Sequence, residues 1–200
     1  MSPIVRKYLL RVLLWTFVLQ SGINVARALD RFVVYEAPQP PAYEVVWRQL
    51  IGKPQARNIV LIAGVSAYPM LSATKQLSWV RNDIRILTNV FKSQGFDEII
   101  VLDENDFNET NLAFLFEQHL PEVFRGAPGS RFVFAFSGHG FTDKGADGEG
   151  FLLKGNAVSL RDGMNAISFT RLRRWLEPLS RMTFQTLTLI NSCDSGSLFM

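Results

Sequence analysis

The chain has 200 residues, 48% apolar and 12% aromatic, enough for the packed core of one ordinary domain and too apolar for wholesale disorder. Its net charge of +3 is concentrated at one end: residues 1–28 hold Arg6, Lys7, Arg11 and Arg27 and no acid, leaving 17 bases against 18 acids elsewhere. That near balance gives nucleic-acid binding no electrostatic support.

Arg6, Lys7 and Arg11 precede an apolar run at residues 12–19, and Ala26-Arg27-Ala28 has the small-x-small pattern that signal peptidases cut after. The run is far short of the roughly 20 residues that a membrane-spanning helix needs. Export to the periplasm or beyond is therefore expected, with residues 1–28 as a signal peptide and no stable membrane span after cleavage. An uncleaved anchor is the rival reading. Residues 29–57, with Pro38-Gln39-Pro40-Pro41, read as an extended spacer with one short helix near 45–51.

From Asn58 the pattern changes to alternating strands and helices. Residues 59–63 are a continuous apolar run ending at Gly64, as in a strand buried on both faces. Val80, Ile84, Leu87 and Phe91 share one helical face, and Gly95 stands where that helix would stop. Residues 99–102 predict a second strand and 111–124 a second helix with a break near Pro121. A third apolar run covers 132–136, followed by a glycine- and acid-rich loop at 143–150 and a short apolar piece at 151–153. Residues 169–179 predict a third helix capped by Ser168, and 187–190 a fourth strand. This order predicts an α/β domain over 58–200, with a largely parallel sheet covered by helices on both faces.

Ligands of open α/β sheets bind at the carboxyl ends of the strands. The third strand runs into Ser137-Gly138-His139-Gly140, and the fourth into Asn191-Ser192-Cys193-Asp194-Ser195-Gly196. Glycines on both sides of His139 let the backbone turn sharply and leave room for a substrate chain. Cys193 is the only cysteine, so no intrachain disulfide exists. A buried thiol acting as a small apolar side chain is the plain reading, but an idle free thiol is unusual in an exported protein. A histidine beside it supplies a chemical purpose. A free thiol is only a few per cent thiolate at neutral pH, and an imidazole can take its proton and later return it to a leaving amine. Backbone N–H groups of Gly140 and Cys193 are candidate donors to the tetrahedral oxyanion. One Cys and two His do not make a standard zinc site, and no metal or other cofactor is expected.

Residues 132–140 resemble the histidine motif of metacaspases and bacterial caspase-like peptidases, a hydrophobic strand ending in Ser-Gly-His-Gly. Residues 187–197 resemble their nucleophile motif, a strand followed by Asp-x-Cys-x-Ser-Gly. His139 precedes Cys193 by 54 residues, close to the roughly 50 expected for a caspase-type pair. Arg81-Asn82-Asp83 is similar to the Asn-Asp that opens the first helix in that family. Asp147-Gly148 followed by Phe151-Leu152-Leu153 matches its hairpin between the motifs. The resemblance spans about 58–199. It implies a caspase-like three-layer sandwich and a cysteine endopeptidase that cleaves proteins or peptides through a thioester acyl-enzyme. His139 would be the general acid/base, Cys193 the nucleophile, and Gly140 part of the oxyanion hole.

Two departures stand out. Asn191 occupies the position where metacaspases place an Asp that helps hold a substrate Arg or Lys. Asn191 is therefore a substrate-binding candidate without the charge, and basic specificity stays open. The chain also stops at Met200, seven residues past the nucleophile, whereas the family continues through further strands. The C-terminal part of the sheet is accordingly expected to be missing, as in a fragment or a truncated product. Of the remaining residues, His119 reads as structural or solvated, and Arg171, Arg173 and Arg174 as a solvated helix face. The loop at 143–149 lacks the closing Glu of a calcium loop, although some members of the family respond to calcium. A non-catalytic caspase-like module that binds partner proteins, or an inactive fragment, is the alternative function. A legumain-like peptidase would use the same chemistry, but the Ser-Gly-His-Gly and Cys-x-Ser-Gly forms fit it less well.

Overall fold

A computed structural model of the chain describes residues 33–36 (as backbone), 56–143 and 148–192. The expected signal peptide, most of the spacer and the short helix near 45–51 lie outside the described residues. Five strands form the main sheet: β1 (Val33–Glu36), β2 (Asn58–Gly64), β3 (Glu98–Leu102), β4 (Arg131–Ser137) and β8 (Gln185–Asn191), in the order β1-β3-β2-β4-β8. β2 pairs in parallel with β3 and β4, and β4 in parallel with β8. Three short strands, β5 (Gly140–Thr142), β6 (Gly150–Leu153) and β7 (Ala166–Ser168), make a separate antiparallel sheet.

The apolar runs become the sheet centre because both faces are covered. Residues 59–63 of β2 are almost wholly buried. Alternate side chains point to opposite faces: Val60 and Ile62 join Ile99, Val133, Ala135 and Phe91 in a cluster closed by Ile84 and Leu87. Those last three belong to α1 (Val80–Ser93), the predicted amphipathic helix. Gly95 ends it with a positive φ of 70°, as expected for the residue after a helix. On the opposite face, Phe132 and Phe134 meet Phe116 edge-on, and Phe116 in turn stacks on Trp175 at 5.6 Å. The three-layer α/β architecture is thus the one the sequence pattern called for.

The second helical stretch runs on where a break was expected. α2 (Glu109–Phe114) passes through a π-helical turn, Leu115–His119, into α3 (Leu120–Arg125), where Pro121 occupies the first turn. Proline has no N–H to offer and its ring crowds the carbonyl four residues back. The wide turn absorbs both problems, with the Leu120 N–H reaching back five residues to the Leu115 carbonyl. His119 is structural: its Nε2 lies 2.9 Å from Glu98 Oε1, both side chains are buried, and Arg57 adds 3.2 Å to the other carboxylate oxygen. α4 (Phe169–Met182) carries the expected Ser168 cap, whose hydroxyl accepts from Arg171 N. The solvated arginine face needs one correction. Arg171 is tied down, with Nε 3.3 Å from Glu109 Oε1 and its guanidinium 4.6 Å from the centre of the Trp175 ring. Trp175 Nε1 donates to Glu117 Oε1 at 2.7 Å, so α4 is locked onto the π turn.

Truncating Phe116 removes the ring shared by β4 and α4. Phe116→Ala is expected to lower stability by about 3–5 kcal/mol, read as the shift in the urea midpoint at constant slope.

Candidate active site

β4 and β8 end together. Their parallel register sets Ser137 opposite Asn191, and the Gly138 N–H donates to the Asn191 carbonyl at 3.2 Å. His139 follows immediately, half-buried at the mouth of an open cleft of about 670 Å³. Leu77, Trp79, Phe141, Arg161, Asn191 and Ser192 are among the residues that line it. Cys193 lies outside the described residues; Ser192, the residue before it, is on the cleft wall.

His139 is held at three points. Its N–H donates to Tyr68 Oη at 2.8 Å, and its carbonyl accepts from Leu153 N at 2.9 Å. Its ring nitrogen Nε2 lies 2.8 Å from the Lys75 carbonyl. A carbonyl only accepts, so Nε2 carries the proton and the neutral ring keeps its lone pair on Nδ1. Nδ1 is therefore the basic atom of this imidazole. The chain bends at Gly138, as the flanking glycines led one to expect, but without a positive φ. Positive φ occurs among the described glycines only at Gly95, Gly129 and Gly148. A Cβ on Gly138 would also stand 2.7 Å from Phe136 Cζ and 3.0 Å from Tyr68 Oη, so glycine here makes room for both rings.

Gly140 opens β5. His139–Leu153 and Asp143–Glu149 are hydrogen-bonded across the β5–β6 hairpin. Alternation in an antiparallel ladder then makes Gly140–Leu152 a non-bonded pair, and the Gly140 N–H points away from β6. That orientation leaves the Gly140 N–H outside the β5–β6 ladder.

Asn191 is exposed at the cleft, with its amide turned toward Asp83 and Ser137. Nδ2 lies 3.3 Å from both Asp83 Oδ2 and Ser137 Oγ, and the Ser137 hydroxyl donates to the same Asp83 oxygen at 2.9 Å. Asp83, in the first turn of α1, also lines an apolar groove of about 340 Å³ with Ile86, Leu87 and Leu189. Sequence reasoning noted Asp83 as part of a helix-opening motif and assigned it no role. Tyr68 and the Lys75 carbonyl were missed altogether. A tyrosine in a loop carries no distinguishing pattern, and a carbonyl is common to every residue.

The caspase domain family matches residues 57–198, well over half of the chain, and the protein belongs to that family. Comparison with curated proteins gave no match. Cysteine peptidase activity, with proteins as substrates, is the general chemistry that this domain brings. Among the described residues no helix is long and apolar enough to cross a membrane.

Burial holds the Tyr68 phenol well above its ordinary range; the nearby Glu104 charge pushes the same way, and the hydrogen bond from His139 opposes them. The folded chain therefore keeps this proton more tightly than the unfolded chain. The associated stability is complete below about pH 10, where unfolded tyrosine starts to ionise, and is lost as pH rises further. The urea midpoint is expected to fall above about pH 10 in the wild type, and to fall less steeply in Tyr68→Phe.

Proposed function

We propose that the protein is a cysteine endopeptidase in which His139 and Cys193 form the catalytic pair. The observation that carries this reading is the in-register pairing of β4 with β8. It brings the strand that delivers His139 beside the strand that leads into Cys193, at the carboxyl edge of the sheet. In the reaction, Nδ1 of His139 takes the thiol proton and the sulfur attacks the scissile carbonyl. The N–H groups of Gly140 and Cys193 hold the oxyanion. The imidazolium then gives its proton to the departing amine, leaving a thioester, which a water activated by the same nitrogen hydrolyses. The Lys75 carbonyl keeps Nε2 protonated throughout, so that one nitrogen carries both transfers.

Asp83 supports a substrate preference that Asn191 alone left open. Its carboxylate sits beside Ser137 and Asn191 with two neutral donors on one oxygen, at the point where the cleft and the apolar groove adjoin. An Arg or Lys before the scissile bond would run its alkyl stem along Leu87 and Leu189 and place its charge on Asp83. Asn191 acts in this reading by orienting the carboxylate rather than by supplying charge.

The test is hydrolysis of fluorogenic peptides with Arg, Lys, Asp or Asn before the reporter. Wild type is expected to cleave the Arg and Lys peptides, Cys193→Ala to be inactive, and His139→Ala to lose at least about a hundredfold. Asp83→Asn is expected to lose about ten- to a hundredfold in kcat/KM on the Arg peptide. A folded wild type that cleaves none of them, with Cys193 alkylated no faster than a model thiol, would leave the partner-binding module as the better account.

Export is part of the same proposal, supported by the basic and apolar segments before Ala28. The mass of protein recovered from a secreting host is expected to correspond to a chain starting at Leu29; retention of residues 1–28 would support the anchor instead.

A further inference from the structure

The connection between β2 and α1 folds back on itself to reach His139 twice. Its base is closed by Leu77 N donating to the Ser66 carbonyl at 2.9 Å, and its tip by Leu71 N donating to the Tyr68 carbonyl at 2.8 Å. Tyr68, near one end, is fully buried, accepts the His139 N–H, and sets its ring 4.8 Å from the imidazole. Lys75, near the other end, offers its carbonyl to Nε2. One turn thus grips the backbone of the histidine with one residue and its ring with another.

Gln76 joins the two grips. Its Oε1 accepts from Tyr68 N at 2.7 Å, while Nε2 donates to the Tyr68 carbonyl at 2.9 Å and reaches the Leu71 and Ser72 carbonyls at 3.2 and 3.3 Å. The side-chain amide therefore satisfies both backbone groups of Tyr68, much as a neighbouring strand would. It does so from the residue that directly follows Lys75. Together with the backbone bonds that close the turn, this side chain ties the phenol to the carbonyl.

We propose that Tyr68 and Gln76 are positioning residues for His139, Tyr68 fixing the main chain at the histidine and Gln76 fixing the spacing between the phenol and the Lys75 carbonyl. This deepens the peptidase reading and rests on it. A purely structural role would make both variants less stable without altering the ring. A positioning role changes which nitrogen is protonated and how fast the bond is made, while substrate binding at Asp83 is untouched.

The experiment uses the full chain, as wild type, Tyr68→Phe, Gln76→Ala and, as a control on the same turn, Met70→Ala, whose side chain is exposed. The 15N signals of the imidazoles report the tautomer directly. The chain has two histidines, and His139→Ala identifies the pair of signals that belongs to His139. At a pH high enough for the ring to be neutral, wild type and Met70→Ala are expected to show the Nε2–H form, and Tyr68→Phe and Gln76→Ala a mixture of tautomers. In peptide hydrolysis the same two variants are expected to lose about five- to tenfold in kcat with KM within about twofold and an altered pH profile. An unchanged His139 spectrum and unchanged kcat in Tyr68→Phe would overturn the proposal, as would a loss confined to KM. Should Gln76→Ala fail to fold, Tyr68→Phe decides. Should wild type cleave nothing, the peptidase reading falls by itself. The tautomer measurement then still decides positioning, upheld by mixing in the variants and overturned by identical spectra.

Discussion

Everything at the carboxyl edge depends on β4 lying parallel to β8 in one register. Side chains alternate along a strand, so a slip of one residue would carry Ser137 and Asn191 to opposite faces. The Ser137–Asn191–Asp83 contacts would be lost and the Gly138 N–H would miss the Asn191 carbonyl. Burial fixes the register from the β4 side. Phe132 and Phe134 fill the space under Phe116, and Val133 and Ala135 pack with α1. A slip would have to exchange these two sets across the sheet. β8 is held less tightly: Leu187 and Leu189 are exposed, and its place is fixed by hydrogen bonding to β4 and by α4 just before it.

The parts of the fold that were legible are those whose cause is local. A continuous run such as 59–63 or 132–136 states that both faces are covered, whatever covers them. The period of Val80, Ile84, Leu87 and Phe91 states a helix face, Gly95 its end, and Ser168 the start of α4. The short strands β1, β5 and β7 have no such signature. Three or four residues are too few to show a period, and they are strands only because a partner lies beside them. The π turn was half legible. Pro121 announced a disturbance, but whether the chain breaks or widens depends on the packing of Phe116 and His119, which only the tertiary structure decides.

At the candidate site, the strand ends that carry His139 and lead to Cys193 were legible, and the partners of His139 were not. His139 and Cys193 stand out because few side chains do their chemistry and because flanking glycines mark the strand ends. The neighbours of His139 arise from contacts 64 and 71 residues apart in the chain, which no local pattern encodes. Asn191 shows the cost of reading a motif position by itself. The missing carboxylate left basic specificity open, and Asp83, 108 residues earlier, puts a carboxylate within hydrogen-bond reach of the same spot. A charge can be supplied by any element that borders the site, so a substitution in one motif bears on specificity only once the elements packed against it are known.

The choice of a carbonyl as partner of Nε2 has a chemical consequence. A carboxylate there would fix the tautomer and also stabilise the imidazolium by a full charge. A carbonyl fixes the tautomer and offers only a dipole, which is a weaker attraction. A serine hydroxyl, far less acidic than imidazolium, would need the stronger help. A thiol, with an ordinary pKa near 8.5, starts within about two units of an imidazole. Proton transfer between them is then close to balanced without added charge, and orientation becomes the property that the surrounding structure has to provide. That fits the described residues: the groups that hold His139 directly are the Tyr68 phenol, the Lys75 carbonyl and the Leu153 N–H, and all three act on where the histidine sits.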